Sequence, residues 1–383
     1  MKAGILYPSS KAHPGITAEF VNGIKGFLKH SSLDKEVTLI SEGVGLGGAE
    51  KEVVEKAQKL LTIEDVDVLI AYIDLRVYPL LEPLLYTSGK PVIIVNPGAN
   101  YPTNWVPQPN VMFLTLLDAF LCSLSGALGR EGEAAAMATT FYDCGYLHSA
   151  AMVEKFIQNG GSISYNYVNN QPYDAAFNIK ELTDHLTKNE KNENILCVFD
   201  EVPASLLYDR LNSFEGASRL LLLVSPMMLQ EKAVEALETN SGFNFSIEGY
   251  LPWHRSQANE SNKEFISTMT PVLKKEPGIF SLLGWETGIV IKEIFQNCKD
   301  HLNDGALTVE TLAGLNIQGP RGELKLDPKT NYFITPVIKC SIPNNSSEIK
   351  MEFIETPEKE WNEFSEKAFE GVSSGWTNTY LCY

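Results

Sequence analysis

Gly43, Gly45 and Gly48 stand in the stretch EGVGLGGA at the G-x-G-x-x-G spacing of a dinucleotide-binding loop. A strand-like run, EVTLIS, precedes them and a helix-like run, AEKEVVEKAQKLL, follows. A second strand, VDVLIAYID, ends in Asp74, about where an acid reaches a ribose hydroxyl. The context argues against that chemistry. A dinucleotide loop normally follows the first strand of its unit, whereas this one follows the second, and Glu42 beside it would repel a pyrophosphate. The next helix opens AEKE, charged where a cofactor helix packs closely. The glycines therefore read as a flexible loop, and an NAD-dependent enzyme stays only as the lesser alternative.

Two other patterns fail in the same way. Gly371-x-Ser373-x-Gly375 has nucleophile-elbow spacing, but no strand precedes it and no histidine follows it. Asp200-Glu201 supplies paired carboxylates, yet adjacent residues at a strand end diverge and better suit the acid-favouring start of a helix. The six cysteines, at 122, 144, 197, 298, 340 and 382, form no CxxC, and the six histidines form no HxH or HExxH. Buried free thiols are expected, and no metal, cofactor or catalytic group.

The elements that must position any site are legible. At 383 residues the chain is too long for one ordinary core, which makes two domains the expectation. With 44% hydrophobic and 21% charged residues it reads as a globular protein. A net charge of −17 disfavours nucleic acid and anionic lipid as partners. No run approaches the roughly 20 apolar residues that cross a bilayer, so membrane insertion is not expected. The first strand begins at residue 2, leaving no visible signal peptide; either an export signal was removed or the protein stays in the cytoplasm.

Strands are expected at 2–8, 36–42, 66–73, 91–96 and 111–116, with helices at 14–29, 49–61 and 77–88 between them. The strands are continuous apolar runs, as in a parallel sheet covered on both faces. A helix at 118–131 leads into a second series, with strands at 134–140, 162–168, 194–199 and 219–224 and helices at 148–159, 178–189, 203–214 and 229–239. Beyond 240 come a strand in FNFSIEGYLPW, helices at 262–273 and 281–299, and two strands over 317–342 turning at Asp327-Pro328. Trp361, Phe364 and Ala368 make a short amphipathic stripe, expected to be a helix docked on the second half.

Several stretches, in order, carry a family likeness. They are GILYPSS with FVNGIKGFL, AEKEVVEKAQKLLTIEDVDVLIAYID, PVIIVNPGAN, GYLPWHRSQANESNKEFISTM, GWETGIVIKEIF and IQGPRGELKLDP. The chain resembles the type I periplasmic binding proteins of the branched-chain amino-acid-binding class. The resemblance implies an α/β fold of two doubly wound parallel-sheet lobes joined by three crossovers. Residues 1–117 and 250–325 would form the first lobe, and 118–249 and 326–383 the second with its C-terminal extension. It implies a non-enzymatic solute-binding protein whose lobes close by hinge bending over a small organic ligand. It also implies a membrane permease of an ABC transporter as partner and a periplasmic location. A cytoplasmic sensor of the same fold is the alternative.

Ligands of open parallel sheets bind beyond the carboxyl ends of the strands. Ser9 and Ser10 follow the first strand, where their hydroxyls would bond a ligand or begin a helix. Tyr72, Asp74 and Arg76 follow the third; the two charges would meet a ligand or pair with each other. Asn96, Gly98 and Ala99 follow the fourth, in the loop that the resemblance assigns to a ligand carboxylate. In the second lobe Tyr142, Asp143 and Tyr146 stand where relatives place an aromatic lid, followed by Asp200 with Glu201 and by Ser225. SPMML at 225–229 offers no carboxylate for a ligand ammonium, which puts an α-amino acid in doubt. Trp253, His254 and Phe280 would face the cleft from the crossover side. The many aromatics suit a ligand with an apolar or ring portion and few polar anchors.

Overall fold

The computed structural model describes residues 1–11, 13–102, 105–106, 108–129, 132–141, 147–170, 177–188, 194–230, 233, 242–346 and 348–367. Most of the expected helix at 229–239 lies outside the described residues, as do Ala368, Cys144, Cys382 and Gly371-x-Ser373-x-Gly375. The chain opens with β1 (Lys2–Tyr7), α1 (Ile16–His30), β2 (Thr38–Gly43), α2 (Glu50–Gln58), β3 (Val68–Tyr72), α3 (Tyr78–Ser88), β4 (Val92–Asn96) and β5 (Val111–Thr115). These strands make one parallel sheet in the order β2-β1-β3-β4-β5. Every residue of β3, β4 and β5 is buried, because helices cover both faces.

The second series is α4 (Asp118–Gly126), β6 (Ala134–Thr140), α5 (Leu147–Gln158), β7 (Ser162–Asn169), α6 (Lys180–Lys188), β8 (Asn194–Val198), α7 (Glu201–Asn212), β9 (Leu221–Val224) and β10 (Ser246–Leu251). There follow α8 (Glu260–Leu273), α9 (Ile279–Asn297), α10 (Gly305–Ala313), β11 (Gln318–Gly319), β12 (Gly322–Glu323), β13 (Lys325–Leu326) and β14 (Phe333–Ile334). The described chain ends with β15 (Val337–Ile342), β16 (Lys350–Ile354) and α11 (Glu358–Ser365). The second sheet runs β16-β15-β10-β9-β8-β6-β7, with β15 and β16 antiparallel at one edge.

The chain therefore passes between two doubly wound lobes three times: after β5, after β10, and between β14 and β15. The middle pass is anchored by a close helix crossing. A Cβ on Gly23 of α1 would lie 2.4 Å from the Ser281 carbonyl oxygen, and one on Gly284 of α9 would lie 2.1 Å from that of Phe20. Only glycines allow α9 to lie that near α1. A second tie is the fully buried Arg321, which forks onto Glu286 of α9 (2.6–3.1 Å) and donates to the Thr115 carbonyl at the end of β5 (2.8 Å).

Three details differ from the sequence reading. Residues 317–342 hold five strands rather than two: β11 pairs β12 around Pro320-Arg321, β13 pairs β14, and β15 joins the second sheet. The ladder β13–β14 lies against β5 through a bridge between Phe113 and Tyr332. Helix α10 and strand β16 were not expected; no residue of β16 is fully buried and its exposure does not alternate cleanly, a weak pattern at a sheet edge. Cys122, Cys197, Cys298 and Cys340 are buried free thiols. Among the described residues no helix is long and apolar enough to cross a membrane.

Candidate functional site between the lobes

A cavity of about 540 Å³ opens where the first turns of α1 and α9, the crossover after β10, and the ends of β9 and β8 meet. His13, Pro14, Gly15, Ile16 and Glu19 line it from α1; Glu201, Leu229 and Gln230 from the second series; Trp253, His254 and Arg255 from the crossover; Lys275 to Phe280 from the entry to α9. A more open depression of about 680 Å³ beside Phe177, Arg210 and Phe214 belongs to the second lobe alone.

His13 sits in a turn fixed by its own backbone, whose N–H donates to Ser10 Oγ (3.2 Å) and whose carbonyl accepts from Ile16 (3.0 Å). Its ring meets Phe280 edge-on at 5.4 Å, and Nε2 lies 3.9 Å from Asp200 Oδ2 across the cleft. Asp200 caps α7 by accepting from the Glu201 N–H (2.8 Å). Trp253 donates its indole N–H to Asn262 Oδ1 (2.8 Å), and Asn262 Nδ2 donates to the carbonyls of Arg255 and Gln257 (2.9 Å each), which fixes the crossover turn. His254 Nδ1 accepts from the Ser256 backbone N–H (3.2 Å). Burial and the neighbouring Arg255 lower its pKa, so the ring favours the neutral form.

Neither α1 nor α9 has a side-chain cap; Gly15 and Gly278 occupy those positions. The buried carboxylate of Glu19 lies between them. It accepts from Lys275 Nζ (2.6 Å), and Cβ atoms on Gly15 and Gly278 would stand 2.8 and 3.8 Å from its oxygens. Two positive helix ends and one ammonium thus stabilise one internal carboxylate. The wall as a whole combines an apolar surface, four aromatic rings and charges of both signs at the rim, an arrangement for enclosing a small amphiphilic molecule.

Of the residues expected from sequence, Glu201, Trp253, His254 and Phe280 line this cavity and Asp200 stands beside it. Others are engaged elsewhere. Tyr72 is fully buried in the first core, edge-on to Phe20 at 5.1 Å. Asp74 accepts from the backbone N–H (2.9 Å) and Nε (3.2 Å) of Arg76, so these two charges pair with each other. Asn96 Oδ1 accepts from the Gly98 N–H (2.8 Å), and the Pro97 and Gly98 carbonyls accept from Asp118 and Ala119. Gly98 has φ +81°, and a Cβ there would meet the Leu117 nitrogen at 2.9 Å, so this loop is shaped to seat the first crossover. Ala99 is buried with it. Ser9 is exposed and its N–H donates to the Gly45 carbonyl (2.6 Å), Ser10 supports His13, and Ser225 is buried just after β9. Tyr142, Asp143 and Tyr146 lie outside the described residues.

The glycine stretch at 43–48 does not build a phosphate cradle. Its left-handed residues are Gly45 (φ +55°) and Gly47 (φ +73°), and Gly47 packs on the backbone of Ile73. Lys56 of α2 reaches back to the Gly43 carbonyl and also pairs with Glu52. Sequence reasoning missed His13, Glu19, Gln230, Arg255 and Lys275. The signals were present: AHPGI and EPGIF each place Pro-Gly at the mouth of a helix that starts with an apolar residue.

The profile of the periplasmic binding protein family matches residues 32–342. No curated protein matches the chain. Among solved structures, an ABC transporter substrate-binding protein from Sphaerobacter thermophilus is similar at TM-score 0.73 and 14% identity, covering 93% of this chain and 98% of that one. A solute-binding protein from R. palustris in complex with benzoate gives 0.69 and 17%, covering 93% and 96%. A leucine-binding protein from Thermotoga maritima gives 0.66 and 14%, covering 94% and 99%. At those identities the structures speak for the fold, while the profile spans most of the sequence. Two layered lobes, three passes between them and a cavity at their seam agree with it: the chain belongs to the periplasmic binding protein family, whose members bind substrates and are not enzymes.

Proposed function

We propose that this protein is the solute-binding component of an ABC-type uptake system, working outside the cytoplasmic membrane and delivering its ligand to a membrane permease. The ligand is a compact organic acid with a ring or branched apolar body, either an aromatic acid or an amino acid relative. The observation that carries this reading is the cavity shared by both lobes, with Trp253 and Phe280 on one wall and Glu201 and Gln230 on the other. The first lobe is taken as 1–117 with 250–325 and also β13–β14, which the sequence reading placed in the second lobe from residue 326 but which lies against β5. The second lobe is taken as 118–249 with the described chain beyond β14. Asp200, Glu201, Trp253, His254 and Phe280 are the ligand-site residues retained from sequence, joined by His13 and Lys275. Ser9, Ser10, Tyr72, Asp74, Arg76, Asn96, Gly98, Ala99 and Ser225 are assigned to the frame behind the cavity.

Benzoate, 4-hydroxybenzoate, leucine and isoleucine, each titrated against thermal unfolding, test the reading. A ligand at a hundredfold excess over its Kd adds about 2.7 kcal/mol to stability. Trp253→Ala is expected to remove that shift while the unliganded protein still unfolds cooperatively. A ligand that stabilises the variant as much as the wild type would place the site elsewhere.

A further inference from the structure

We propose that α11 is a strap across the two lobes that resists hinge opening. It lies beyond residue 342, where the family match ends. One side of the helix is held by the first lobe's ladder and loop. Glu358 pairs with Lys325 (2.6 Å), Trp361 donates its indole N–H to Asp327 Oδ2 (3.1 Å), and Lys329 donates to Asn362 Oδ1 (3.3 Å). The other side is held by α5 of the second lobe. Glu363 pairs with Lys155 (3.3 Å), and Lys367, just past the helix, pairs with Glu154 (3.4 Å) and donates to Gln158 (2.8 Å).

Between these ties Trp361 and Phe364 are wedged among rings from both lobes. Tyr101, Trp105 and Tyr332 approach from one side and Phe120 of α4 from the other, with centroids 5.2–6.3 Å apart. Any rotation that carries α4 and α5 away from β13–β14 must break one set of ties. The α5 ties are partly exposed ion pairs, weak singly and easily remade. The first-lobe tie includes a buried indole hydrogen bond. The strap therefore stays on the first lobe and releases α5 when the cleft opens.

The test uses the full chain with no ligand, so it is independent of the function proposed above. Lys155→Glu combined with Lys367→Glu sets like charges against Glu363 and Glu154 at partly exposed positions that leave the core untouched. Small-angle scattering should then give a larger radius of gyration than the wild type, against roughly 21 Å for a compact chain of this length. Adding Glu363→Lys and Glu154→Lys restores opposite charges and should restore the wild-type radius. Superposable curves for wild type and double variant would overturn the strap. So would an enlarged radius that the charge swap fails to reverse. An unchanged radius together with a lost ligand-induced shift in Trp253→Ala would leave the ligand reading standing alone.

Discussion

The loops after β3 and β4 and the wall at the starts of α1 and α9 both sit at the carboxyl ends of the first sheet, yet they spend their polar groups differently. In the loops, Asp74 holds Arg76, Asn96 holds Gly98, and the Pro97 and Gly98 carbonyls hold α4. In the wall, two helices start without side-chain caps, and an ion pair, two imidazoles and two further rings face open volume. The same topological rule generates both regions. A ligand site differs from a hinge seat in whether its charges and rings border open volume or packed backbone.

Two histidines sharpen that contrast and give the largest expected effect. His148 lies in the first turn of α5, where the adjoining Leu147 N–H donates to Asn100 of the β4 loop (3.4 Å). Burial alone pushes it down to about 3. The folded state thus refuses a proton that the unfolded chain takes near pH 6.5. Stability should fall as pH drops through that window, by on the order of 5 kcal/mol in all. His148→Gln should flatten this limb in urea titrations from pH 7 to 4. His254, partly exposed in the wall, has the same sign with a smaller effect. Equal flattening by His254→Gln would erase the distinction between the regions.

Glycines make the next comparison. Gly98→Val forces a β-branched residue into φ +81° against the Leu117 nitrogen and should cost on the order of 3 kcal/mol. Gly278→Ala meets nothing nearer than a Glu19 oxygen at 3.8 Å and should change stability by under about 1 kcal/mol. Denaturant midpoints decide it; similar losses at both sites would mean the wall is packed as tightly as the hinge seat.

The smallest expected effect concerns two cations. Lys275→Ala leaves Glu19 at two positive helix ends, so stability should shift by under about 1 kcal/mol. Affinity for a carboxylate ligand should fall about tenfold, or about 1.4 kcal/mol. Arg76→Ala, which removes a cation that does not line the cavity, should leave that affinity unchanged. Calorimetric titration of the best ligand would reverse the assignment of the two regions if Arg76→Ala proved the more damaging.

Much of the frame was legible because its signals are local. VLIAY, VIIVN and VMFLT are strands by composition, and Ile16, Phe20, Ile24, Phe27 and Leu28 mark the buried face of α1. Strand order and the three passes came from resemblance rather than from periodicity. The site was harder, since it is assembled from residues 13–19, 201, 229–230 and 251–280, and nothing in one stretch reports the others. Asp74 and Asn96 misled because an acid or amide after a strand looks alike whether it awaits a ligand or caps its own turn. The hairpins at 318–334 were missed because two-residue strands carry no period.

The glycine-to-glycine crossing of α1 and α9 also bears on how the polypeptide is made. The first sheet is complete by residue 115, but the helix that seals its α1 side ends only at Asn297. At about 5–20 residues per second, a ribosome takes roughly 15–50 s to travel from α1 to the end of α9. Throughout that interval the part of α1 that meets α9, around Gly23 and Phe27, has no lasting cover. The nascent chain is thus left unfinished and sticky for most of its synthesis, a natural client for a holding chaperone.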